Sequence, residues 1–98
     1  MATFISTIKF TAQGMTNIQD TCKRATALKA GARKMGVKIT DIFWTLGAFD
    51  GLLVFEAADD ETATALLLHI GSLGNVQTQT ARAFTAAEME KILAAATK

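Results

Sequence analysis

The spacing of apolar positions changes several times along this chain, and each change marks an element. Thr3 to Phe10 is β-branched and aromatic with no breaker, which predicts a strand entering a turn at Thr11-Ala-Gln-Gly14. From Met15 the interval becomes three or four: Met15, Ile18, Cys22, Ala25, Leu28, Ala32 and Met35 fall on one face of a helix. Thr16 and Gln19 stand at a capping-box spacing to open it, and Gly36 is placed to close it. Lys23, Arg24, Lys29, Arg33 and Lys34 gather in its second half and read as a solvated basic face. Val37 to Leu46 and Leu52 to Ala57 are strand-like runs joined by Gly47-Ala-Phe-Asp-Gly51, which predicts an antiparallel hairpin. Asp59 and Asp60 then open a helix carrying Ala63, Leu66, Leu67 and Ile70, ending near Gly71 or Gly74. Asn75 to Phe84 is the last strand, and Thr85 with Glu88 opens a final helix bearing Met89, Ile92, Leu93 and Ala96.

The order β-α-β-β-α-β-α is that of an α+β, ferredoxin-like sandwich: an antiparallel four-stranded sheet with two helices on one face, plus a C-terminal helix. An antiparallel sheet open to water shows clean polar alternation. Here Ile39, Ile42, Phe43, Trp44 and Leu46, and then Leu52, Leu53, Val54 and Phe55, put large apolar groups at both parities. Both faces are therefore expected to be covered, the second by another copy of the chain packing sheet against sheet, as a homodimer or larger homo-oligomer enclosing a cavity.

Composition narrows the partners. The chain of 98 residues is expected to be a single domain spanning residues 1–98, and 50% of it is apolar against 19% charged. A chain this short hides only about 60 to 68% of its unfolded surface, so such apolar content also points to burial against another subunit. The formal charge of +1, with no basic segment, argues against nucleic acid or an anionic membrane as partner. No apolar run approaches the roughly 18 residues of a membrane span. Cys22 has no intrachain partner and Met1 to Phe10 lacks the pattern of a secretory signal, so a cytoplasmic location is expected.

Four stretches in order, Phe4-Ile-Ser-Thr-Ile-Lys-Phe-Thr-Ala-Gln-Gly14, Phe43-Trp-Thr-Leu-Gly-Ala-Phe-Asp-Gly51, Ser72-Leu-Gly-Asn-Val76 and Arg82-Ala-Phe-Thr85, resemble the GYD domain family, named for a Gly-Tyr-Asp motif. Phe49 stands where that motif has tyrosine, so the hydroxyl is missing while the ring can still pack. The resemblance implies a dimeric α+β barrel, a superfamily that includes small monooxygenases, haem-degrading enzymes and isomerases. It implies no particular reaction.

Strong catalytic and metal signatures are missing: there is no paired CxxC, HExxH, P-loop or GxSxG, and one His with one Cys points to no metal site and no cofactor. His69, near the end of the second long helix, is a candidate proton carrier or haem ligand. Trp44, His69 and Asn75 loosely resemble the tryptophan, histidine and asparagine of haem-degrading relatives, although Asn75 lies in a different segment. Asp50 is a second proton-handling candidate, and an Asp-Gly turn former otherwise. Lys9, inside an apolar strand, Trp44 and Arg82 are candidates to orient a ligand, with salt bridges and core packing as the alternatives. Cys22, on the apolar stripe, is expected to be an inert buried thiol. These features favour a homo-oligomeric protein binding a small apolar or aromatic molecule in an inter-subunit or sheet-face cavity. The alternative is a small monooxygenase, haem-degrading or isomerase-type enzyme with His69 or Asp50 handling protons.

Overall fold

The structure, a computed structural model, describes residues 1–97. The elements are β1 (Ala2–Phe10), α1 (Ala12–Thr16), a single 3-10 turn (Ile18–Asp20), α2 (Thr21–Lys34), β2 (Lys38–Trp44), β3 (Gly51–Ala57), α3 (Asp60–Ser72), β4 (Val76–Ala83) and α4 (Ala86–Ala96). The strands form one antiparallel sheet in the order β2-β3-β1-β4, so the expected ferredoxin-like α+β architecture is present. Among the described residues, no helix is long and apolar enough to cross a membrane.

Strand pairing fixes the faces. Phe4 lies opposite Phe55, Ser6 opposite Leu53 and Ile8 opposite Gly51, and this side of the sheet meets the helices. There Phe4, Leu53 and Phe55 pack with Ala32 of α2 and Ala63, Leu66 and Ile70 of α3 into the core. The Phe4 and Phe55 rings stack with centroids 5.4 Å apart. The buried Ser6 hydroxyl is satisfied by Thr80 Oγ1 at 3.0 Å.

The reading of β2 as doubly apolar needs correction. Its register with β3 shifts between Ile39 and Asp41, with Ile39 opposite Phe55, Ile42 opposite Leu53 and Trp44 opposite Gly51. One extra residue at Thr40 reverses the alternation, so Ile39, Ile42 and Trp44 all face the helices despite their mixed parity. Of the large apolar residues in β2, only Phe43 is left on the outer face, beside Leu52; Ile5 and Val54 pair there on β1 and β3.

The single helix expected from Met15 is also corrected. Helix formation begins inside the predicted turn, where Thr11 Oγ1 accepts from Gly14 N–H and donates to the Gly74 carbonyl at 2.6 Å. That tertiary bond places the cap five residues before Thr16, whose hydroxyl instead donates to the Ala12 carbonyl. The chain then breaks at Asn17 and restarts at Thr21. At the other end α2 closes as expected: Gly36 has φ +80°, with Val37 N–H donating to the Ala32 carbonyl and Gly36 N–H to that of Arg33, a Schellman ending. Cys22 is exposed, not buried: the sheet-facing side of α2 runs through Thr21, Arg24, Ala25 and Leu28 to Ala32, its one buried residue, and Cys22 falls outside it.

The Gly47–Gly51 loop is held to β1 by Asp50. Its backbone N–H donates to the Ile8 carbonyl at 2.8 Å, its carboxylate accepts from Phe10 N–H at 2.9 Å, and its carbonyl accepts from Thr45 N–H. A side-chain oxygen thus continues the β1–β3 ladder past the end of β3.

Candidate functional site

Protein interiors are normally packed to crystal-like density, yet a cavity of about 430 Å³ lies between α2, α3 and the sheet. Small residues line it from both sides, Ala25, Gly31 and Ala32 from α2 and Gly51 from the sheet, and nothing lies within 4 Å of where a Gly31 side chain would begin. Leu28, Ile42, Leu53, Leu66 and Ile70 make its walls apolar. One side is open to water, since Trp44 on the rim is 47% exposed. There the indole N–H donates to Thr21 Oγ1 at 3.0 Å and ties the end of β2 to the start of α2.

The polar groups of the cavity are few: Thr21, Arg24, Trp44 Nε1, His69 and Asn75. Among the described residues no Asp or Glu lines it, and Arg24 is its one fixed charge. Arg24 Nη1 donates to the Asn17 carbonyl at 2.8 Å, the same oxygen that accepts from Asp20 N–H at the helix break. Arg24 Nη2 is buried with no hydrogen-bond partner, alone in this among the described side-chain nitrogens and oxygens. A buried unpaired donor costs about 1 to 3 kcal/mol, and more when charged, so Arg24 lies at the cavity wall with one nitrogen unmet and shut off from the solvent that fills the cavity.

Of the residues singled out from the sequence, Trp44, His69 and Asn75 line this one cavity. His69 is exposed in the last turn of α3, and Asn75 Oδ1 accepts from Gln13 Nε2 at 3.1 Å. Asp50 does not line it and has its carboxylate committed to Phe10 N–H. Lys9 is exposed and opposite Gln77, on the outer face of the sheet. Arg82 lies on the helix face but far along the sheet, beside a smaller hollow lined by Phe4, Ala63 and Leu67. Its guanidinium donates to the carbonyls of Thr3 and Ala83, meets Glu88 at 3.5 Å and stacks over the rings of Phe84 and Phe4, 4.6 and 5.7 Å from their centroids. Arg82 therefore anchors the start of α4. Lys9, Trp44 and Arg82 do not converge. Among the described residues, no group of three or more His, Cys, Asp or Glu is arranged to hold a metal ion.

Arg24 was not singled out from the sequence, because it sits in a run of bases that reads as solvated. The available signal was its spacing: Thr21, Arg24, Leu28, Gly31 and Met35 recur at three and four, and all line the cavity.

Comparison with known proteins agrees with this architecture. The chain is 35% identical over 57 residues to a Thermus thermophilus protein named "Glutamine synthetase and cystathionine beta-lyase binding protein". The match covers 58% of this chain and 60% of that relative's length. Among solved structures, MtbAldR superposes with a TM-score of 0.68 at 12% identity, over 86% of this chain and 52% of that one. TTHA0845 from Thermus thermophilus superposes with a TM-score of 0.58 at 22% identity, over 88% and 96%. At those identities the structures speak for the fold alone. The GYD domain family itself matches residues 4–93, nearly the whole sandwich with its four signature stretches, and the chain belongs to that family.

Proposed function

We propose that this protein is a homo-oligomeric binding protein that holds a small apolar or aromatic molecule in the cavity between its helices and sheet. The observation that carries the reading is the cavity itself: about 430 Å³ of apolar-walled space with a few polar groups, in the range of about 300 to 1,000 Å³ usual for small-ligand sites. Self-association is supported by the outer sheet face, where Ile5 and Phe43 are 37% and 53% exposed beside the half-buried Leu52 and Val54. A lone exposed thiol at Cys22 fits a reducing compartment such as the cytoplasm.

A second reading, docking onto other enzymes, is favoured by the name of the Thermus thermophilus relative, which binds glutamine synthetase and cystathionine beta-lyase. The enzymatic alternative has in its support His69 and Trp44 on one cavity, with Asp50 engaged elsewhere.

Native mass spectrometry of gently purified protein separates these readings. The expected result is an oligomer carrying a defined small extra mass that is lost on denaturation. A ligand-free oligomer whose mass shifts when glutamine synthetase is added favours the second reading, and a bare monomer overturns the first.

A further inference from the structure

We infer that the cavity takes a monoanionic amphiphile, a carboxylate bearing a short apolar chain or ring, and that Arg24 seats its head group. The inference rests on the cavity-binding reading and narrows it to one class of ligand. Charge decides the class. The walls hold one fixed cation and no carboxylate, and the only ion pair among the described residues, Arg82 with Glu88, is elsewhere. Among the described residues, no carboxylate pairs with Arg24.

The guanidinium also lacks a full set of partners. Nη1 is committed to the Asn17 carbonyl while Nη2 is buried and unpartnered. Nη2 is closed to solvent as placed, so a carboxylate meets it by drawing the Arg24 side chain toward the cavity that it lines, where the pair of oxygens matches the guanidinium fork. Thr21, a cavity residue three positions before Arg24, accepts from Trp44 Nε1, which leaves its own hydroxyl hydrogen to donate. A neutral ligand leaves Nη2 unpaired, and a cationic one is repelled by it.

The rest of the cavity sets the tail. At roughly 30 Å³ for each water-sized group, 430 Å³ holds on the order of a dozen non-hydrogen atoms. Leu28, Ile42, Leu53, Leu66 and Ile70 offer that volume no further hydrogen bonds. A medium-chain fatty carboxylate or an aryl carboxylate fits both ends.

The test is calorimetric titration of the intact protein with decanoate, decan-1-ol and decyltrimethylammonium, each below its self-association limit, with Trp44 emission as a second readout. Decanoate is expected to bind about tenfold or more tighter than decanol, in line with a charge-assisted hydrogen bond. Arg24→Met is expected to erase that preference, so that decanoate binds no tighter than decanol. Arg24→Lys, which keeps the charge and loses the fork, retains part of it and guards against misfolding of the first variant. Equal affinity for decanoate and decanol, a preference for the cation, or a preference that survives in Arg24→Met overturns the role of Arg24 and leaves the cavity reading standing. Failure of all three probes to bind overturns the cavity reading and this inference together.

Discussion

At the scale of single residues, the family signatures acquire physical reasons that only the fold displays. Gly14 closes the first signature, and a Cβ there would overlap the carbonyl oxygen of Asn75, where α1 lies against the entrance to β4. Gly31, in α2, has no heavy atom within 4 Å of an added Cβ and keeps an ordinary helical φ. The two glycines should therefore respond oppositely to alanine. Gly14→Ala overpacks against backbone and is expected to cost about 2 kcal/mol, on the order of 10 °C in Tm for a domain of this size. Gly31→Ala should stabilise by about 0.5 to 1 kcal/mol through helix propensity. Thermal unfolding followed by circular dichroism reads both, and equal shifts of one sign would contradict the close contact at Gly14. The sequence marked Gly14 and Asp50 as members of motifs without their partners, Asn75 and Phe10, lying 61 and 40 positions away. Arg24 is hidden for a related reason: its bond to the Asn17 carbonyl at the helix break spans 7 positions, and the run of bases around it masks the cavity-facing spacing.

Among the elements, those governed by neighbouring residues were legible and those governed by distant contacts were not. Asp59 caps α3 through Thr62 N–H at 2.7 Å, and Thr85 with Glu88 forms the full capping box of α4, both as the sequence implied. Thr16 and Gln19 carry the same signal and cap nothing, because the bond from Thr11 to the Gly74 carbonyl starts the helix earlier. The extra residue at Thr40, whose hydroxyl donates to the Val54 carbonyl at 3.1 Å, is likewise invisible to a period count and sends Ile42 and Trp44 to the helix side. The working caps also set a pH response. Hydrogen bonds from Thr62 hold the Asp59 carboxyl below its ordinary 3.8, and the Thr85 backbone N–H holds Glu88 below its ordinary 4.5. Both folded values are depressed, so the stability they contribute is full above 4.5 and is lost as pH falls past 3.8 and through the folded values. Urea midpoints measured from about pH 7 down to about pH 2 should fall less steeply for Asp59→Asn and Glu88→Gln than for the parent. Identical slopes would show that the two caps do not carry the acid response.

For the whole molecule, the element order and sandwich architecture were legible because hydrophobic period and connection length leave few ways to fold βαββαβ; the disposition of the outer surfaces was not. The radius of gyration is 14.9 Å with extents of 53 × 31 × 18 Å, against about 13 Å for a compact chain of this length. The chain is thus elongated, and α4 contributes no buried residue: Met89, Ile92 and Leu93 are 44, 39 and 50% exposed. Two apolar surfaces, the outer sheet face and the α4 stripe, compete as the seat of the proposed self-association. The sheet face is the stronger candidate, because Ile5 lies opposite both Val54 and Ala81 at its centre, giving a row of apolar groups across β3, β1 and β4. A facing sheet would interdigitate with that row, whereas the α4 stripe rests on a single unsupported helix. Ile5→Lys places a charge in the middle of the row at little cost to the separate chain, since the side chain already reaches water. Sedimentation is expected to find Ile5→Lys monomeric at a concentration where the parent and Ile92→Lys remain assembled. Dissociation of Ile92→Lys with Ile5→Lys intact would move the interface to α4 and leave the outer sheet face free for a different partner.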